Sequence, residues 1–114
     1  LNAGISIGYR GRAIALDARG YLRCLDDWSE GLAEQMAASD GIALTAAHWE
    51  VLRFLRDHYA QFQISPPMRL LVRALSARIG AERGASRTLY RLFPDGPAKQ
   101  AVRYAGLPRP LSCI

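Results

Sequence analysis

The sequence predicts a mainly α domain, α+β only through one small N-terminal β-hairpin, with about five helices and an extended C-terminal arm. Three observations carry that prediction. Apolar residues recur at helical spacing after Thr45 and again after Pro66, with Trp49, Leu52, Leu55, Tyr59 and Phe62 on the first stripe and Met68, Leu71, Val72, Leu75 and Ile79 on the second. Two short alternating apolar runs stand in RAIALDARGYLRCL. The last stretch, GLPRPLSCI, holds two prolines that exclude helix at themselves and disfavour it one residue earlier.

In chain order, residues 1–11 show no sustained periodicity and are expected as a loose leader outside the core. The hairpin is expected next, around Asp17-Ala18-Arg19-Gly20, where Gly20 can take positive φ. Ile14 and Leu16 then share a face with Leu22 and Cys24, which makes Cys24 a small buried apolar residue. Asp27, three residues before Glu30, is the expected cap of the first helix, with Trp28, Leu32 and Met36 on its stripe and Gly41 as its stop.

Thr45 is the expected cap of the second helix, which runs to the break at Ser65-Pro66-Pro67. The third helix follows, with Arg69 and Arg73 on its outer side. SRTLYRLF reads as a short fourth helix capped by Ser86, and residues 97–105 as a fifth that starts at Pro97 and stops at Gly106.

Beyond it the arm is expected to be polyproline-like from Gly106 onward. At about 3.1 Å per residue, Cys113 would stand about 20 Å from the domain. That is an unusual place for a thiol, because a structural cysteine belongs among apolar neighbours and this one sits where chain ends fray.

The chain has 114 residues, which suits a single domain spanning 1–114, and half of them are hydrophobic, which argues against disorder. Cys24 and Cys113 are the two cysteines, with no CxxC pair and no His/Cys spacing for zinc, so neither a metal nor another cofactor is expected. No secretory leader or membrane-length apolar run occurs, so a reducing cytoplasm is expected, in which Cys113 stays a free thiol.

A nucleophilic-hydrolase reading needs a base beside that thiol. The histidines, His48 and His58, both fall in the second helix, and a structural role or solvent contact is expected for each. The net charge of +5 comes almost entirely from arginine, with Lys99 the one lysine. Such a surface attracts RNA, DNA or an acidic protein. A helix-turn-helix-like nucleic-acid module is one alternative, with Arg69, Arg73 and Arg78 facing phosphates, although no base-reading recognition helix is evident.

The run GIALTAAHWEVLRFLRDHYAQFQISPPMRLLVRAL, followed by LFPDGPAKQAVRYAGLPRPLSCI, resembles the DsrC/TusE family of sulfur-carrier proteins. HW, SPxxR, FPxGPxKQ and AGLPxPxxCI occur in order, and the combination is specific where each alone is weak. The resemblance implies a small helical fold with an N-terminal hairpin and a mobile arm over 106–114. It also implies that Cys113 is the penultimate cysteine that carries a persulfide.

DsrC-type members hold a second cysteine upstream in the arm, and Val102 occupies that position here. A valine cannot resolve a persulfide, so the chain is similar to the single-cysteine TusE branch and not to the partners of sulfite reduction, which stand as the other alternative. That branch implies a TusBCD-like sulfur donor and, as acceptor, a tRNA 2-thiouridylase acting on the wobble uridine, with tRNA itself a candidate contact and no membrane partner. It implies a sulfurtransferase that works as a relay, without turnover by its own domain. Lys99, Arg103 and Arg109 are then the expected docking residues, since positive charge near a thiol also favours its ionised form. Arg109 stands where family members often carry lysine.

Overall fold

The computed structural model describes residues 5–109. Alternation begins earlier than expected: Ile5, Ile7 and Tyr9 lie on strand β1 (Ile5–Tyr9), which pairs antiparallel with β2 (Arg12–Leu16) in the register Ile5↔Leu16, Ile7↔Ile14, Tyr9↔Arg12. The turn between them is Arg10-Gly11, both at positive φ, the geometry whose twist matches that of the strands. Residues 5–11 are thus part of the hairpin and not of a leader. Their inward side chains, Ile7 and Tyr9, pack against the core.

The expected turn at Asp17–Gly20 does form, closed by Gly20 N–H to Asp17 O at 3.0 Å. It returns the chain only through a single bridge, Leu16↔Leu22. Tyr21 and Leu22 are both buried, which breaks alternation, and the chain turns into a 3-10 helix at Leu25–Asp27. Cys24 is therefore exposed and not buried.

Helix α1 (Glu30–Ser39) is capped by Ser29, whose Oγ accepts from Leu32 N–H at 3.1 Å. Asp27, the expected cap, lies in the 3-10 turn and pairs with Arg12 at 3.7 Å. Trp28 precedes the helix instead of lying on its stripe, while Leu32 and Met36 are buried as expected.

Helix α2 (Ala46–Phe62) is capped by Thr45, with His48 serving where a capping box usually has Glu or Gln. Leu52 and Leu55 are fully buried, Trp49 and Tyr59 pack partly, and Phe62, expected inside, is 54% exposed. It sits on the last turn, where the stripe has run past the covering elements. Helix α3 (Met68–Ile79) buries Leu71 and Leu75 completely. Helix α4 (Ser86–Leu92) is capped by the backbone of Ala85, so Ser86 is its first residue and not its cap.

Helix α5 (Pro97–Tyr104) begins with proline and contacts every other helix. Its Ala101, Val102 and Tyr104 join Leu32, Leu52, Leu55, Leu71, Leu75, Leu89 and Phe93 in one fully buried cluster. At roughly 1.5–3 kcal/mol for each large side chain, that burial holds α5 at the centre of the helices. Among the described residues no helix is long and apolar enough to cross a membrane.

Candidate functional site

The C-terminal end of α5 is where the arm leaves the domain, and its last turn is closed by backbone geometry. Gly106, at φ +73°, donates its N–H to Arg103 O, and Leu107 N–H reaches back to Val102 O at 3.2 Å. These are the paired bonds of a left-handed glycine cap, with Leu107 and Val102 as its buried apolar contact. The next two carbonyls, which this cap leaves without a backbone partner inside the fold, each receive a side-chain donor from elsewhere. Trp28 Nε1–H donates to Tyr104 O at 2.8 Å, and Arg56 Nη1 donates to Ala105 O at 2.6 Å.

The Arg56 guanidinium also lies 3.7 Å from the centre of the Trp28 ring. Burial lowers its pKa, and the ring face and the carbonyl offset that desolvation. One step further, Ser65 Oγ donates to Pro108 O at 2.7 Å. Within the stretch expected as an arm from Gly106 onward, Pro108 thus contacts the α2–α3 connection.

Upstream, α5 is fastened by a polar network. Tyr104 donates its hydroxyl proton to Asp40 at 2.5 Å and accepts from Gln100 Nε2 at 2.8 Å, while Gln100 Oε1 accepts Asp95 N–H. Burial raises the Tyr104 pKa, and the bond to Asp40 raises it further. His48 ties α2 to this end of the fold. Its Nδ1 accepts Thr45 N–H at 3.0 Å, which leaves Nε2 as the donor to Leu92 O at 2.9 Å, and its ring meets Phe93 edge-on.

Of the residues expected at the site, Cys113 lies outside the described residues. Lys99 and Arg109 are exposed. Arg103 is largely covered and pairs with Asp40 at 3.1 Å, so its charge is already engaged. Burial pushes the Tyr21 hydroxyl pKa up, and the neighbouring charge of Arg103 is the largest influence pulling it back. Val102 is fully buried, as a core residue and as the anchor of the glycine cap.

The arginines of the helix-turn-helix alternative do not form one surface. Arg69 and Arg73 are exposed, but Arg78 pairs with Asp57 at 3.1 Å and lies over Phe54. Sequence reasoning did not single out Arg56 or Asp40, and it gave Trp28 a core role and Ser65 only a place at a break. Their partners lie between 43 and 76 residues away along the chain, and the one local signal was Ser65 before two prolines. Among the described residues no group of three His, Cys, Asp or Glu could hold a metal ion.

The final helix is thus fastened to all the other helices, and three carbonyls at its C-terminal exit are held by side chains from elsewhere in the chain. The family model described as DsrC like protein matches residues 8–114, and the chain belongs to this DsrC-like family.

Sulfurtransferase TusE of Yersinia pseudotuberculosis is 55% identical over 106 residues, covering 93% of this chain and 98% of that protein. Sulfurtransferase TusE of Escherichia coli O6:H1 is 53% identical over 93% of this chain and 97% of its own length. Among solved structures, DsrC of Allochromatium vinosum aligns with a TM-score of 0.86 at 47% identity, covering 96% of this chain and 97% of that one. The oxidised DsrC γ-subunit of the dissimilatory sulfite reductase from Archaeoglobus fulgidus aligns with a TM-score of 0.83 at 35% identity, covering 96% and 100%.

Proposed function

We propose that this chain is a cytoplasmic sulfur carrier of the TusE kind. Cys113 accepts a sulfane sulfur as a persulfide from a TusBCD-like donor and delivers it to a tRNA 2-thiouridylase that thiolates the wobble uridine. The observation that carries the reading is the 55% identity, across nearly the whole of both chains, to a protein named Sulfurtransferase TusE. Val102 supports the single-cysteine branch: a fully buried valine offers no thiol with which a persulfide on the arm could close a disulfide.

The transfer is redox-neutral. A thiolate of the acceptor attacks the outer sulfur of the Cys113 persulfide, a new S–S bond forms on the acceptor, and the old one breaks to leave the Cys113 thiolate. The domain contributes presentation and turns over nothing by itself. Lys99 and Arg109 provide exposed charge for docking, and Arg103 orders the surface through Asp40.

Mass spectrometry after incubation with a persulfide donor tests the reading. A sulfur adduct is expected on Cys113 and not on Cys113→Ser protein, and only the intact chain should restore tRNA 2-thiouridine in cells lacking their own carrier. Restoration by Cys113→Ser protein would refute it.

A further inference from the structure

Three of the five large apolar side chains exposed among the described residues stand together. Phe62, Ile64 and Leu70 line a cavity of about 420 Å³ between α2 and α3, with Phe54, His58 and Ala74. Scattered apolar residues on a surface are ordinary, whereas a concave cluster of them marks an interaction site. The floor of this groove is uncharged. Burial lowers the His58 pKa and keeps its ring neutral, and its buried Nε2 has no hydrogen-bond partner among the described residues. Asp57, on the α2 lip, is answered by Arg78 at 3.1 Å.

The opposite lip sets the chemistry of an occupant. Around α3 the core residues Leu71 and Leu75, the groove residues Leu70 and Ala74, and then Arg69 and Arg73 follow one another in steps of about 100°. Arg69 and Arg73 are exposed, and neither makes an ion pair among the described residues. The uncompensated charge beside the apolar floor is therefore positive, which calls for carboxylates on the partner. A second copy is a poor match, because it would bring the same arginines on a chain of net charge +5. Phe54 to Phe62 on one wall and Leu70 to Arg78 on the other are each eight residues of helix, so the groove runs about 12 Å. That length takes two turns of a helix with apolar anchors at i, i+3 or i+4, and i+7.

We propose that this groove docks an acidic amphipathic helix of a protein that exchanges sulfur with Cys113. The inference rests on the carrier reading above and adds to it the surface that holds the partner. Its place in the fold fits that task. Ile64 precedes Ser65, whose hydroxyl donates to Pro108 O, so the groove opens beside the base of the arm. Cys113 is five residues beyond Pro108, and five residues span at most about 18 Å by any path. A protein seated in the groove is thus within one arm's length of the thiol.

The experiment compares wild type with Leu70→Ser, Ile64→Ser and the double change Arg69→Glu, Arg73→Glu, all at exposed positions, with folding checked by circular dichroism. Binding of each unloaded protein to a purified TusBCD-like donor complex and to purified tRNA 2-thiouridylase is measured by calorimetry at two salt concentrations. With at least one of these partners the dissociation constant should rise about tenfold for each serine variant and for the charge reversal, and the effect of the reversal should shrink as salt rises. Loading of Cys113 by inorganic polysulfide and its discharge to cyanide should stay at the wild-type level. Unchanged dissociation constants with both partners would overturn the proposal and leave the carrier reading standing. A groove-dependent dimer in sedimentation, or groove-dependent binding to phosphatidylserine vesicles, would overturn it as well. Failure of wild-type protein to load Cys113 would instead refute the carrier reading, and the docking role with it. Should a serine variant fail to fold, the charge reversal on the outer lip still decides.

Discussion

Replacing Gly106 with alanine should damage this fold more than any other single added methyl at the arm's base. The residue sits at φ +73°, where an alanine costs about 1 kcal/mol in backbone strain alone. Its Cβ would also overlap Trp28 Cδ1 and stand 2.6 Å from Cγ and 2.9 Å from Cβ. Those atoms are at the root of the indole side chain, so the ring cannot clear the clash by swinging its far end. It must shift as a whole, and that shift breaks the Nε1–H bond to Tyr104 O and the stack with Arg56.

A part-buried hydrogen bond and a cation–π contact are worth on the order of 1 kcal/mol each, so the expected loss is about 3 kcal/mol. For a domain of this size that is a fall of roughly 10–15 °C in Tm. Urea unfolding followed by circular dichroism measures it directly. In a Trp28→Ala background the obstacle is gone, and the same glycine change should cost only the ~1 kcal/mol of strain. A loss below about 0.5 kcal/mol in the wild-type background, or an equal loss in both, would refute the reasoning.

Other perturbations follow from the same contacts. His48→Ala should destabilise by about 2–3 kcal/mol, because Thr45 N–H and Leu92 O both lose their partner. His48→Gln should recover part of that loss by rebuilding the capping box, and equal urea midpoints for the two variants would contradict the assignment. Tyr104→Phe should cost about 1–3 kcal/mol at neutral pH by leaving Gln100 and Asp40 short of a partner. It should also flatten the alkaline limb. The native Tyr104 pKa is raised, so its contribution is complete below pH 10, where the unfolded tyrosine begins to ionise, and is lost as pH rises toward the native value. Thermal melts above pH 10 should show a shallower decline for the variant, with the share from Tyr21 remaining. Gly84→Ala should destabilise strongly, since its Cβ would run into the Ser76 backbone nitrogen and stand 2.7 Å from the Leu75 carbonyl carbon. Gly31→Ala meets only the end of the Tyr9 side chain, which can swing aside, so its melting temperature should stay within about 2 °C of wild type.

Much of the helical scaffold was legible because its signals are local. Thr45 bonds a residue three positions along, Pro97 suits a first turn, and Gly106 suits a left-handed stop, and all three act where the sequence places them. The hairpin was displaced for an equally physical reason. DARG was the expected turn and residues 1–11 the expected leader, and what moved the hairpin to Arg10-Gly11 was which flanking residues could pair and bury together. Ile7 and Ile14 did so, which sent Cys24 outward. Asp27 and Ser29 competed as caps in the same way, and the 3-10 turn at Leu25–Asp27 settled it for Ser29.

At the site, the four ordered motifs named the family before any coordinates, yet they did not say what most of their residues do. His48 joins the start of α2 to Leu92 and Phe93, Ser65 holds Pro108, and Gln100 bonds Tyr104. Arg103, expected as a docking residue, pairs with Asp40, 63 residues away.

By itself, then, the chain's order of residues determined the helices and their stops, because caps, prolines and glycines act over one turn of backbone. Only the tertiary structure decided where the arm leaves and what holds it. Trp28, Arg56 and Ser65 reach their carbonyls across 76, 49 and 43 residues, and a hydrogen bond of that span exists only once the core has brought its two ends together.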